Sequence, residues 1–307
     1  MHLHRYKITV RATADSRLPG FLGSFVRGVF GETLKRYHPP AFQYFFKPEL
    51  PREHPYFRLF GHNPPAPYWF YIPRRIRHIS RGETFHFFFT HLVTPFLPPE
   101  SIPVLFMHAF QRPLYHRQFQ GTLHSVEAAG RNQSPLIRLQ DYEHIEQPGD
   151  HFRIEFPVPV SLMREGNPIP PASKHDLFHF LIHRAMMLRR TASMYETTER
   201  LFGKEPPPED LDIMPDFIRT ELLKSPQMDR LTLIDFNLKK VTVYRSPKRR
   251  EKYPMRGWSG WVQYSGHAPE LYKILKLGEV IHVGSNTSTG FGKIKILNNT
   301  LQKTNIS

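Results

Sequence analysis

The sequence predicts an α+β fold built as two successive βαββαβ units, and three observations predict it. Strand-like and helix-like stretches follow one another in the same order twice. A turn cluster, Gln147-Pro148-Gly149-Asp150, separates the two runs. The 307 residues, 39% hydrophobic and 13% aromatic, are enough for two cores of ordinary size.

Residues 2–12 alternate in polarity, with Leu3, Tyr6, Ile8 and Val10 apolar, which predicts a strand. Leu18-Pro19-Gly20 breaks the pattern. Phe21, Leu22, Phe25, Val26, Val29, Phe30 and Leu34 then recur at helical spacing, predicting a helix from Phe21 to Tyr37 that stops before His38-Pro39-Pro40. The next forty or so residues, rich in proline and aromatics, are expected as long loops with short strands. Residues 83–92 predict a core strand, Pro98–Gln111 a short helix and 118–128 a strand. The second run gives a strand over Phe152–Leu162 and a long helix over Ser173–Tyr195, with Leu177, Phe180, Leu181, Arg184 and Leu188 along one face. Strands follow at Thr232–Tyr244 and Gly257–Tyr264, then a helix over Pro269–Leu277 and a closing strand over Gly292–Leu297. Lys204–Asp212 is expected as a loop. The order is that of two tandem ferredoxin-like (RRM-like) domains, 1–146 and 147–307, each with helices on one face of its sheet.

Composition narrows the function. Lysine and arginine number 42 against 27 acidic residues, a net charge of +15 that points to a polyanionic partner, nucleic acid first. There is no cysteine, which excludes disulfides, thiolate zinc sites and a cysteine nucleophile. No run approaches 18 apolar residues and no secretory leader opens the chain, so a soluble, cytoplasmic protein without a membrane partner is expected. His175, His179 and His183 lie one helical turn apart, but no carboxylate completes a metal site. Asp176 sits about 100° round the helix from His175. These histidines are expected to form a polar or RNA-facing stripe, with no metal and no cofactor.

Two segments carry the chemistry. Gly284-Ser285-Asn286-Thr287-Ser288-Thr289-Gly290-Phe291-Gly292-Lys293 precedes the final strand. Its glycines permit close backbone approach, and its amides and hydroxyls can donate to phosphate oxygens. It is neither a P-loop nor a dinucleotide fingerprint, because a strand rather than a helix follows it. The other segment is Arg245-Ser246-Pro247-Lys248-Arg249-Arg250-Glu251-Lys252-Tyr253-Pro254-Met255-Arg256, between two predicted strands. Its six basic residues can neutralise phosphates, and Tyr253 can stack on a base. Arg74-Arg75-Ile76-Arg77-His78 and the run Arg112 to Arg117 add charge in the first half.

Gly257-Trp258-Ser259-Gly260-Trp261, then Leu275-Lys276-Leu277-Gly278-Glu279-Val280-Ile281-His282-Val283-Gly284, run into Thr287-Ser288-Thr289-Gly290-Phe291-Gly292. This tract resembles the C-terminal domain of the CRISPR-associated endoribonucleases that cut precursor CRISPR RNA, members of the RAMP superfamily. Leu18-Pro19-Gly20-Phe21-Leu22-Gly23 and Phe25-Val26-Arg27-Gly28-Val29-Phe30-Gly31 resemble the same family's first helix. His54-Pro55-Tyr56-Phe57 resembles a segment where many members carry cysteines, all absent here.

The resemblance implies metal-independent cleavage of repeat RNA. The ribose 2′-OH attacks the adjacent phosphate, leaving a 2′,3′-cyclic phosphate and a 5′-hydroxyl. It implies precursor CRISPR repeat RNA as partner, with other CRISPR-associated effector subunits beside it. Many members place a histidine at or after the first helix. His38, beside Tyr37, is therefore the leading general acid/base, and Lys35 or Arg36 the phosphorane-stabilising cation, with His2, His4 and His54 in reserve. A non-catalytic RNA-binding RAMP subunit shares every charge feature and stays open as an alternative, as does a basic RNA-packaging module.

Overall fold

The computed structural model describes residues 1–19, 21–46, 52, 65–73, 76–93, 97–111, 119–130, 134–202, 216–244 and 254–298, with backbone alone over 195–202. The chain forms two compact units. The first comprises Met1–Arg138, Met187–Ile213 and Ser288–Gly290; the second comprises Leu139–Met186, Met214–Thr287 and Phe291–Ser307. Among the described residues no helix is long and apolar enough to cross a membrane.

In the first unit, β1 (His2–Ala12) is followed by β2 (Ser16–Arg17), α1 (Leu22–Tyr37), α2 (Pro39–Phe46), β3 (Tyr68–Tyr71), β4 (His78–Ile79) and β5 (Thr84–Leu92). Then come α3 (Ser101–Gln111), β6 (Gly121–Ala128) and β7 (Leu136–Arg138). The sheet order β3-β5-β1-β6 is the ferredoxin-like order, with β1 and β5 central and antiparallel. Period-two alternation decides the faces. Tyr6, Ile8 and Val10 of β1 and Phe85, Phe87 and Phe89 of β5 are buried on one face, under α1 and α3. Phe30 of α1 is the hub, its ring 4.9 Å from Phe89, 5.7 Å from Phe70 and 5.6 Å from Phe106. Burying one such ring is worth roughly 2–3 kcal/mol.

α2 corrects the expectation of a loop after Tyr37. Two prolines end α1, but they also sit in the first turn of the next helix. Proline's missing N–H costs nothing there, and its fixed φ suits a helix start.

The second unit runs β8 (His151–Val160), β9 (Leu162–Arg164), β10 (Asn167–Ile169), α4 (Lys174–Phe202, of which the residues to Met186 belong to this unit), α5 (Pro226–Arg230), β11 (Thr232–Tyr244), β12 (Pro254–Ser265), α6 (Pro269–Ile281) and β13 (Lys295–Asn298). The order β11-β12-β8-β13 repeats that of the first sheet. Leu177, Phe178 and Leu181 of α4 and Leu271, Ile274 and Leu275 of α6 are buried in this unit. Both helices outlast their expected ends. The expected end of α6 at Leu277 falls just before Gly278, where a Cβ would meet Leu181 Cδ2 at 2.6 Å and Ile294 Cδ1 at 2.8 Å. It is glycine for close packing, and the helix continues to Ile281. The turn at Gln147 is pinned by its own amide. Gln147 Nε2 donates to the carbonyls of Gly149 (2.7 Å) and Gly266 (2.8 Å), and its Oε1 accepts from Ala268 N–H (2.8 Å). The expected loop over 204–212 lies outside the described residues.

Candidate functional site

His38 forms the corner between α1 and α2. Its N–H donates to Leu34 O at 2.8 Å, closing α1, and its carbonyl accepts from Phe42 N–H at 3.0 Å, opening α2. The imidazole also caps α2, because Nδ1 accepts from Ala41 N–H at 3.2 Å. An accepting Nδ1 carries the lone pair, so the proton of the neutral ring sits on Nε2. Tyr37 is exposed and stacks on His108 of α3, with ring centroids 4.4 Å apart and planes at 15°. The Arg36 guanidinium lies 5.4 Å from the Tyr37 ring, and Lys35 is exposed on the last turn of α1. The end of α1 therefore gathers an imidazole, a phenol and two cations, and α3 adds a second imidazole. Sequence reasoning missed His108, and no local signal could have shown it.

The reserve histidines differ. His4 and His91 face each other across β1 and β5, with ring centroids 5.4 Å apart. Burial pushes His4 down, with His2 adding to the effect. Burial, then His4, pushes His91 down to about 3, although its Nδ1–H donates to Leu92 O at 2.7 Å. With His91 fully buried and His4 nearly so, neither is open to a substrate. His2 is exposed on β1, and His54 lies outside the described residues.

The glycine-rich loop is held from within the second unit. Ser285 N–H donates to Ser161 O (2.8 Å), Phe291 N–H to Asn286 O (3.3 Å) and Gly292 N–H to Pro159 O (2.9 Å). A Cβ on Gly292, at φ +83°, would lie 2.2 Å from Val283 O, so no other residue fits that turn. His282, at φ 62°, ends α6 and bonds Phe291 O through Nδ1 at 3.0 Å, a support that the motif gave no reason to single out. Lys293 is buried, and its ammonium donates to Glu279 O, while Arg184 Nε donates to Ile281 O at 3.4 Å. Both cations thus meet carbonyls at the C-terminal end of α6, where the helix dipole favours positive charge. Burial lowers Arg184 to about 10, still a cation at neutral pH. Phe291, Thr287 and Thr289 are buried, as are Gly290 and Gly292; Gly284 and Ser288 are half-buried. Only Ser285 and Asn286 are exposed in this stretch.

Within the first unit, which includes 288–290, Gly23 of α1 lies against the Thr289 carbonyl, where an added Cβ would come within 1.6 Å.

β11 and β12 pair from Thr232↔Ser265 to Tyr244↔Pro254, so the basic run joins the strands of one hairpin. Arg256, opposite Thr242, is exposed, as are Lys239 and Lys240. Arg245, Lys248, Arg249, Arg250 and Lys252 lie outside the described residues, as do Arg74, Arg75 and Arg112 to Arg117. On α4, His175, His179 and His183 are exposed, the last two with ring centroids 6.2 Å apart. Among the described residues no three His, Cys, Asp or Glu side chains gather as a metal site.

Residues 154–294 match the family model described as CRISPR-associated endoribonuclease Cas6. Residues 154–294 are a Cas6 family domain. A second family model, described as an N-terminal domain, matches residues 1–150. No curated protein sequence matches the chain. Among solved structures it is similar to a Cas6 product complex, with 14% identity over 96% of this chain and 100% of that one and a TM-score of 0.61. It is similar also to Cas6 from Thermus thermophilus, with 15% identity over 96% and 98% and a TM-score of 0.57. A partial Cas6-RT-Cas1–Cas2 complex shares 12% identity and a TM-score of 0.59, over 98% of this chain but 46% of that one. These likenesses establish the fold, two ferredoxin-like units in tandem. With this domain the chain is an endoribonuclease of CRISPR RNA processing.

Proposed function

We propose that this chain cuts precursor CRISPR RNA within its repeats without a metal ion, using residues at the end of α1. A base takes the proton from the ribose 2′-OH, and O2′ bonds to phosphorus. The bond from phosphorus to O5′ breaks, and an acid returns a proton to O5′. The observation that carries this is the α1 corner, where His38 stands beside Tyr37, Lys35 and Arg36. Lys35 and Arg36 offset the charge that builds on the phosphorane. His38 serves as the acid through its imidazolium, whose Nδ1–H no longer accepts from Ala41; His108 supplies the complementary base. Arg245, Lys248, Arg249, Arg250, Lys252 and Arg256 on the hairpin, with the 284–293 loop presenting Ser285 and Asn286, hold the RNA backbone. The product complex of one similar Cas6 structure and the Cas1–Cas2 assembly in another support repeat RNA and CRISPR-associated subunits as partners. The cytoplasm is the expected compartment, and the expected domain division falls between residues 146 and 147.

The test incubates the chain, His38→Ala and His108→Ala with repeat RNA in excess EDTA, beside a substrate 2′-deoxy at the cut site. Cleavage in EDTA that disappears with the deoxy substrate is expected, with a loss of at least about a hundredfold in rate for His38→Ala. A requirement for metal overturns the mechanism, and normal cutting by His38→Ala removes that residue from it.

A further inference from the structure

We infer that the open face of the first sheet is a stacking platform for a single-stranded stretch of the bound RNA. Arg5, Lys7, Thr9 and Arg11 on β1 and His86 and Phe88 on β5 point away from the helix-covered core, since their neighbours Tyr6, Ile8, Phe87 and Phe89 are buried. These are the two central strands of the sheet. Phe88 lies beside Tyr71 of β3, with ring centroids 5.9 Å apart and planes at 18°. His86 meets Phe88 edge-on at 5.8 Å, and the Arg5 guanidinium lies 4.7 Å from the Phe88 centroid. Trp69 and Thr90 close one end of this face, both buried.

Half-buried rings on a sheet surface are what an extended RNA strand stacks on. Every base offers a π-face, and arginine over an aromatic ring prolongs the stack. The charge fits the same occupant. Arg5, Lys7 and Arg11 line the face, with Glu127 3.1 Å from Lys7 Nζ. A protein partner would need neither parallel rings nor a row of cations on one strand, so single-stranded RNA is the occupant the face fits.

This inference rests on the RNA-processing function, and its test involves no cleavage, so the two fail separately. Binding of a fluorescein-labelled, unstructured RNA octamer is measured by anisotropy for the wild-type chain, Phe88→Ala, Phe88→Trp and Lys7→Gln. Phe88→Ala is expected to weaken binding about ten- to a hundredfold, and Phe88→Trp to keep the affinity within about threefold. Lys7→Gln is expected to lower the slope of log Kd against log salt by about one. It substitutes a partly exposed side chain and keeps the test open should Phe88→Ala fail to fold. Octamer affinity that ignores both the Phe88 ring and the Lys7 charge overturns the platform. So does a loss confined to association with another protein chain, which would make the face a protein-docking surface.

Discussion

Gly23→Ala is expected to destabilise the first unit by about 3 kcal/mol or more, whereas Gly28→Ala, five residues along the same helix, is expected to stabilise it. The new methyl at position 23 would sit 1.6 Å from the Thr289 carbonyl oxygen, a backbone atom that cannot rotate away. α1 or the 288–290 segment must shift, and overpacking of this kind costs about 1–3 kcal/mol or more. At Gly28, which is exposed, nothing lies within 4 Å of the added Cβ. There the only change is the lower backbone entropy of alanine in a helix, worth about 0.5–1 kcal/mol in favour of folding. Thermal unfolding of the two variants reads the difference directly. Melting of Gly23→Ala within a degree of wild type would remove the close contact. Repeat cleavage should fall with Gly23→Ala, because the displaced helix ends at His38.

Acid lability centred on His91 is the second large effect. In the unfolded chain this imidazole titrates near 6.5; in the folded chain burial holds it at about 3. Above pH 6.5 both states carry it neutral, and it contributes nothing to pH dependence. Below that the unfolded state takes up a proton the folded state refuses, so stability falls as pH drops, by about 1.4 kcal/mol per unit. Between pH 6.5 and 4.5 that amounts to roughly 2 kcal/mol, because the slope builds only as the unfolded imidazole protonates. His4, shifted in the same direction, adds to the slope. His91→Leu should flatten the dependence across this range. At neutral pH it should cost only about 1 kcal/mol, for the lost bond to the Leu92 carbonyl. Urea midpoints at a series of pH values provide the check; parallel pH curves for variant and wild type would mean that another group governs acid unfolding.

Much of this architecture is legible in the sequence because the strongest signals are local. Alternation marks β1 and β5, and a 3.6-residue period marks α1. Signals fail where one residue type serves two purposes. The prolines after His38 stop one helix and start another, and Gly278 resembles a helix end but answers to Leu181 and Ile294. The site divides in the same way. Its basic run and glycine loop stand out by composition, and the helix-end cluster Lys35-Arg36-Tyr37-His38 is contiguous. His108 joins that cluster only through the packing of α3, and Lys293 looks like an anion ligand until its ammonium is found on the Glu279 carbonyl. Spacing carries no trace of either contact.

The two units are interleaved along the chain, and this sets the order in which they can be finished during synthesis. A ribosome that has released the first 146 residues has not yet delivered Met194, which belongs to the buried core of the first unit. The 288–290 segment that Gly23 is shaped to receive emerges later still. The second sheet waits for β13, whose pairing with β8 ends at Asn298. Nascent domains usually fold in the order they are made. Here both remain incomplete until the 288–290 segment and β13 have emerged, and a ribosome stalled before residue 290 has delivered neither in finished form.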